Sequence, residues 1–141
     1  RESGQRGLLA SGWGGLEAAD MPDNIFKIES APHDWLFERV SAVVHHGGAG
    51  TTAAGLRAGQ PTVICPLFGD QPFWGARVHN LGVGPRAISQ KKLNVKDLAK
   101  AIRIAATDAD TRRRAEELGE KIRNEDGVGF AVRFINEKFG K

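Results

Sequence analysis

The sequence predicts an α/β fold with a doubly wound parallel sheet, and three observations carry that expectation. Short apolar runs rich in β-branched residues, such as Ser41-Ala42-Val43-Val44 and Pro61-Thr62-Val63-Ile64-Cys65-Pro66, have the length and composition of buried strands. Stretches with helical spacing alternate with them. The joints between are brief and rich in glycine, proline and aspartate. Strands alternating with helices over short joints imply parallel strands covered on both faces.

In order along the chain, Gln5 to Ala10 reads as a first strand, leading into the glycine-rich turn Ser11-Gly12-Trp13-Gly14-Gly15. Asn24 to Ile28 is a second strand, introduced by the turn signal Met21-Pro22-Asp23-Asn24. Pro32-His33-Asp34 opens a short helical turn over Trp35 to Glu38. Strand three, Ser41 to Val44, runs into His45-His46-Gly47-Gly48-Ala49-Gly50-Thr51-Thr52, and the small residues Ala53 to Ala58 then suit a helix packed tightly on a sheet. Thr51 or Thr52 is placed to cap that helix. Pro61 to Pro66 is a fourth strand, Gly69-Asp70-Gln71-Pro72 an exit turn, and Phe73 to Leu81 the next helix. Gly82 to Ile88 holds a glycine turn and one more short strand. The last third is helical: Val95, Leu98 and Ile102 share a face, as do Ala115, Leu118 and Ile122 in a helix capped by Asp110 or Thr111. Asp126-Gly127-Val128-Gly129 breaks that helix before a terminal one with Val132, Ile135 and Phe139 on one stripe.

The 141 residues amount to one domain with room for a proper core. Twenty Lys and Arg against 17 Asp and Glu leave a net charge of +3, with the signs interspersed. Arg112-Arg113-Arg114 is followed by Glu116 and Glu117, the pattern of a solvated helix face, so nucleic acid is not an expected partner. Cys65 is the only cysteine, so no intrachain disulfide forms and a cytoplasmic setting is expected. Its place in an apolar strand reads as an inert, buried thiol. No run is long and apolar enough for a transmembrane helix, and no signal peptide is visible. The chain opens on Arg1-Glu2-Ser3, without a methionine, as a piece of a longer protein would.

In doubly wound sheets, ligands sit at the carboxyl ends of the strands. The exit turns there offer Ser11 and Trp13, then His33, then His45 to Thr52, then Asp70 and Gln71. A helix that starts after glycines presents unpaired amides, which bind anions and phosphate above all. His46, the amides of Gly48, Ala49 and Gly50, and the Thr51 hydroxyl suit a diphosphate. His45 is open to two readings, a core histidine satisfied by backbone or a ligand contact. Asp70 and Gln71 suit vicinal hydroxyls, since the carboxylate accepts and the amide both donates and accepts. Asp70 could equally cap the helix after it. A nucleoside diphosphate attached to a polyol, hence a sugar nucleotide, meets this description. A rival is NAD, because Gly48-Ala49-Gly50-Thr51-Thr52-Ala53 satisfies G-x-G-x-x-G/A and Asp70 lies twenty residues beyond Gly50. That reading expects the turn after the first strand and the acid at the tip of the next one, and neither holds.

The stretch from Pro32 to Gly84 resembles the donor-binding signature of family 1 GT-B glycosyltransferases. The resemblance rests on His45 to Thr52, on Arg57-Ala58-Gly59-Gln60-Pro61 and on Gly69-Asp70-Gln71-Pro72-Phe73-Trp74. Pro32 to Phe37 and Glu125-Asp126-Gly127-Val128 look most like the sterol 3-β-glucosyltransferases and their bacterial relatives. Glycopeptide-antibiotic glycosyltransferases share the histidine-glycine turn and the Asp-Gln pair. The resemblance implies that residues 1–141 are the carboxy-terminal, nucleotide-sugar-binding half of a GT-B fold, without its first strand and helix. It implies that His46 meets the donor phosphate, that Asp70 and Gln71 hold the sugar, and that Ser11 and Trp13 lie near the phosphate and base. It further implies an inverting transfer of a hexose, glucose above all, from a UDP-sugar to a lipophilic acceptor such as a sterol, with no metal or other cofactor. The base and acceptor site belong to an amino-terminal domain outside these residues, so this chain alone is expected to bind donor weakly and transfer nothing. Peripheral membrane association of a longer protein would suit such an acceptor. Ser30 stands where plant members carry a uracil-stacking tryptophan, and Ala54 where they carry a ribose-binding glutamate, which leaves UDP against dTDP open. A split-subunit or non-catalytic sugar-nucleotide-binding module is the alternative from another class.

Overall fold

The structure is a computed structural model and describes residues 2–10 and 21–140. Its elements run β1 (Gly7–Ala10), β2 (Ile25–Ile28), α1 (His33–Phe37), β3 (Val43–His45), α2 (Ala49–Arg57), β4 (Thr62–Ile64), α3 (Gln71–Asn80), a 3-10 turn at Gln90–Lys92, α4 (Val95–Thr107), α5 (Ala109–Arg123) and α6 (Gly127–Phe139). Among the described residues the strands form two parallel pairs. In β1–β2, Gly7 sits beside Ile25 and Ala10 beside Ile28. In β3–β4, Val43 sits beside Thr62 and His45 beside Ile64.

The double winding is visible at β4. Successive side chains of a strand point to opposite faces, and here both faces are covered. Ile64 packs with Leu56, Val78, Val83 and Ala115 beneath α2, α3 and α5. Val63 and Cys65 point the other way, against Ala101 and Ala105 of α4. Val63 and Ile64 are completely enclosed, each shedding apolar surface worth roughly 1.5–3 kcal/mol. On β1–β2 the register partners Leu8 and Phe26 are both exposed, so that pair presents an uncovered apolar face.

Several expected details change. The segment after α3 does not form a strand. Thr62 donates to the Val83 carbonyl and Ile88 to the Ile64 carbonyl, so the chain runs beside β4. Pro85 between them has no N–H to continue a ladder. The α2 N-cap is Gly48, and neither threonine caps the helix. Thr52 lies inside α2, its hydroxyl folded back onto the Gly48 carbonyl at 2.9 Å. The α5 cap is Asp108, two or three residues ahead of the expected ones, because the Thr111 amide and hydroxyl both donate to its carboxylate. Asp126, expected only to break α5, caps α6 through the Gly129 amide. No residue of α6 is buried, and Phe130, Phe134 and Ile135 lie exposed along it.

Candidate functional site

The exits of β3 and β4 meet. Gly47 has φ +98°, a left-handed conformation that L side chains rarely adopt, and a Cβ there would stand 2.6 Å from Ile64 Cγ2 and 3.2 Å from the Gln71 carbonyl. The histidine-glycine turn therefore lies directly on the backbone of the Asp70–Gln71 turn. His46 is exposed and bends over the start of α2, where a Cβ on Gly48 would come within 2.6 Å of its Nε2. No side chain caps α2 and its first turn carries no acidic residue, so the amides of Ala49, Gly50 and Thr51 face outward without a partner from the helix. The partial positive charge of the helix end adds to them.

His45 is the least ordinary group of the site. Its Nδ1 accepts the Gly47 amide at 3.0 Å, which places the proton of the neutral ring on Nε2. That Nε2 is sealed from solvent and has no hydrogen-bond partner among the described residues. Burial, then the neighbouring His46 and His33, push its pKa down to about 4. His45 is therefore a neutral imidazole at neutral pH, with one nitrogen spent on the turn and one N–H unspent. A core histidine satisfied by backbone describes only half of it. His33 stacks on Phe37 at 4.6 Å and stands close enough to His45 to act on its charge. The His45 and His46 rings meet edge to face, 6.0 Å apart.

Asp70 occupies the N-cap position of α3, yet its carboxylate does not cap the helix. Its Oδ2 accepts the indole N–H of Trp74, one turn on, at 2.8 Å. Gln71 is buried, and its Oε1 accepts two backbone amides, Leu67 at 2.8 Å and Phe68 at 3.2 Å. The structure thus sets the turn that carries His46 and Gly48 against Gln71, next to Asp70, with Ala49, Gly50 and Thr51 forming the first turn of α2 and His33 near His45. Ser11 and Trp13 lie outside the described residues. Sequence reasoning passed over the unspent Nε2 of His45 and the indole donor on Asp70. Strand alternation held the first signal, since His45 shares a face with buried Val43. The second lay in the four-residue spacing of Asp70 and Trp74 across a helix start.

Parallel strands wound on both sides, with a helix start and an acid-amide turn at their carboxyl ends, define the carboxy-terminal half of a GT-B glycosyltransferase fold. The chain belongs to the family of erythromycin biosynthesis protein CIII-like C-terminal domains, whose pattern matches residues 14–126. It is 49% identical over 134 residues to the sterol 3-beta-glucosyltransferase UGT80B1 of Arabidopsis thaliana, across 94% of this chain and 22% of that relative. Among solved structures it is similar to the glycotransferase of kitacinnamycin, with TM-score 0.80, 27% identity and coverage of 92% of this chain and 34% of that one. The glycosyltransferase VinC in complex with dTDP matches with TM-score 0.70 and 26% identity, over 82% of this chain and 30% of that one. The chain thus spans about a fifth of the length of the curated relative and about a third of those solved enzymes.

Proposed function

We propose that this chain is the donor-binding half of an inverting glycosyltransferase that moves a hexose, glucose above all, from a UDP-sugar to a hydroxyl of a sterol or similar lipophilic alcohol. The observation that carries the reading is the contact of the two exit turns. A cradle for diphosphate and a pair suited to sugar hydroxyls share the Gly47–Gln71 boundary. The similarity to sterol glucosyltransferases supports the acceptor class.

In the reaction, the acceptor oxygen forms a bond to the anomeric carbon as the bond from that carbon to the diphosphate oxygen breaks. The acceptor proton leaves to a base, which we assign to a partner domain outside these residues, and the bonding electrons leave with the diphosphate. The role of this chain is to receive that charge. Outward amides of α2 and the exposed His46 are donors at this turn, with His45 sealed behind them, and preorganised donors stabilise developing anions without reorganisation. On this reading the leaving group needs no metal and the enzyme no other cofactor. Asp70 and Gln71 orient the hexose. Among the described residues no helix is long and apolar enough to cross a membrane. We assign the protein to the cytoplasm, with peripheral contact of the longer protein with the membrane that holds its acceptor.

A dTDP-sugar is the second reading, favoured by the likeness to the dTDP-bound VinC. Calorimetric titration with UDP, dTDP, UDP-glucose and NAD separates these readings. Binding of UDP and UDP-glucose that weakens in Thr51→Ala supports the first, a preference for dTDP the second. Binding of NAD alone would refute both.

A further inference from the structure

We propose that Trp74 is a positioning residue of the sugar subsite, and that the turn before α3 fixes the direction in which the Asp70–Gln71 pair bonds to a hexose. The inference rests on the reading of that pair as the sugar-binding element and adds what the bare residues do not specify. A free glutamine amide can donate or accept. In this turn it can only donate. Two backbone amides, those of Leu67 and Phe68, converge on its Oε1 and occupy both lone pairs. The Nε2 group has no partner among the described residues and is the one arm left for a ligand. Asp70 is restricted in the complementary sense. Its Oδ2 is tethered by the Trp74 indole N–H, which fixes the plane of the carboxylate and leaves Oδ1 free to accept.

Trp74 is itself held. Its ring packs against the Leu56–Ile64–Val78 core and meets Phe73 edge to face at 5.2 Å. The indole N–H therefore starts from an anchored ring. A carboxyl acceptor with one oxygen anchored and an amide reduced to a donor address two neighbouring hydroxyls in one sense. One hydroxyl gives its proton to Asp70, and the other offers its oxygen to Gln71. A sugar that lacks the hydroxyl facing Gln71 leaves that buried amide unpaired, and such a mismatch discriminates more sharply than lost apolar contact.

The test titrates UDP and UDP-glucose into the wild-type chain, Trp74→Phe, Asp70→Asn and the double variant, with circular dichroism to verify folding. Phenylalanine keeps an aromatic ring against the core and removes the N–H together with part of the indole, a packing loss that the UDP titration controls for. UDP lacks the sugar and reports the rest of the site. The expected result is a wild-type preference for UDP-glucose over UDP. In Trp74→Phe that preference falls about five- to tenfold while the Kd for UDP moves less than about twofold. In the double variant, the Trp74 change has little further effect once Asp70 is altered. A wild-type chain that binds UDP and UDP-glucose equally overturns the sugar-subsite reading and this inference with it. A wild-type preference that survives in Trp74→Phe overturns the inference alone. It is equally overturned if Trp74→Phe weakens UDP and UDP-glucose to the same extent, or if the two substitutions are additive, because Trp74 would then serve the turn and not the carboxylate.

Discussion

His45→Asn should remove about 2 kcal/mol of acid sensitivity from the chain without disturbing the turn that His45 holds. The argument starts from the two ring nitrogens. Nδ1 accepts the Gly47 amide, Nε2 is sealed without a partner, and His46 and His33 stand nearby, so a second proton on the ring is disfavoured by burial and by like charge. The pKa falls from the ordinary 6.5 to about 4 in the folded chain. Between those values the unfolded chain takes up a proton that the folded chain refuses. The stabilisation is complete above the unfolded pKa and is lost as the pH falls through that interval. At about pH 5 the loss amounts to about 2 kcal/mol, a sizeable fraction of the stability of a small domain. Asparagine offers an oxygen near the place of Nδ1, so it keeps an acceptor for Gly47, and it does not titrate. Urea denaturation of both chains at about pH 7.5 and about pH 5 gives the four free energies required. Wild type should lose about 2 kcal/mol more than His45→Asn on acidification. Equal losses would refute the lowered pKa of the buried imidazole.

Three further outcomes follow from the same geometry. Gly47→Ala should destabilise the chain by about 2–5 kcal/mol in urea denaturation, the sum of a left-handed conformation and a methyl group forced against Ile64. Gln71→Glu should fold, because a carboxylate accepts the Leu67 and Phe68 amides as well as the amide oxygen does; it should abolish the calorimetric preference for UDP-glucose over UDP, because nothing is left to donate. Removal of residues 130–141 should leave the thermal midpoint within a few degrees of the intact chain, since α6 buries no side chain. A large drop would show that α6 packs on this domain.

The middle of the fold was legible because its local signals agree with one another. Val43 and Val44, the glycines after them and the proline-bounded Pro61–Pro66 run specify strand, turn, helix and strand with no competing pattern, and β3, α2 and β4 lie where expected within two to four residues. Capping was less legible because it depends on a single rotamer. Thr52 turned its hydroxyl back to Gly48, and Asp108 won over Asp110 because Thr111 could give it two bonds at once. The last strand failed for a different reason. Gly82 to Ile88 has the apolar residues of a strand, but Pro85 stands where a ladder needs a donor, and among the described residues the segment hydrogen-bonds to β4 through Val83 and Ile88 alone.

At the site, the sequence nominated residues by their chemistry and left their hydrogen-bonding state undetermined. Asp70 and Gln71 read as a pair for hydroxyls, yet the partners that restrict them are two backbone amides and an indole N–H, which the pair itself does not reveal. His45 shows the same gap. From the sequence it could be a satisfied core residue or a ligand contact; in the structure one nitrogen supports the Gly47 turn and the other is sealed without a partner. The two cases share a cause. Where the two exit turns touch, a neighbouring backbone amide or the Trp74 indole N–H satisfies one side of each polar side chain, and that choice determines what the other side can offer a ligand. The chemistry of this site therefore depends on the Gly47–Gln71 contact as much as on the residue types that flank it.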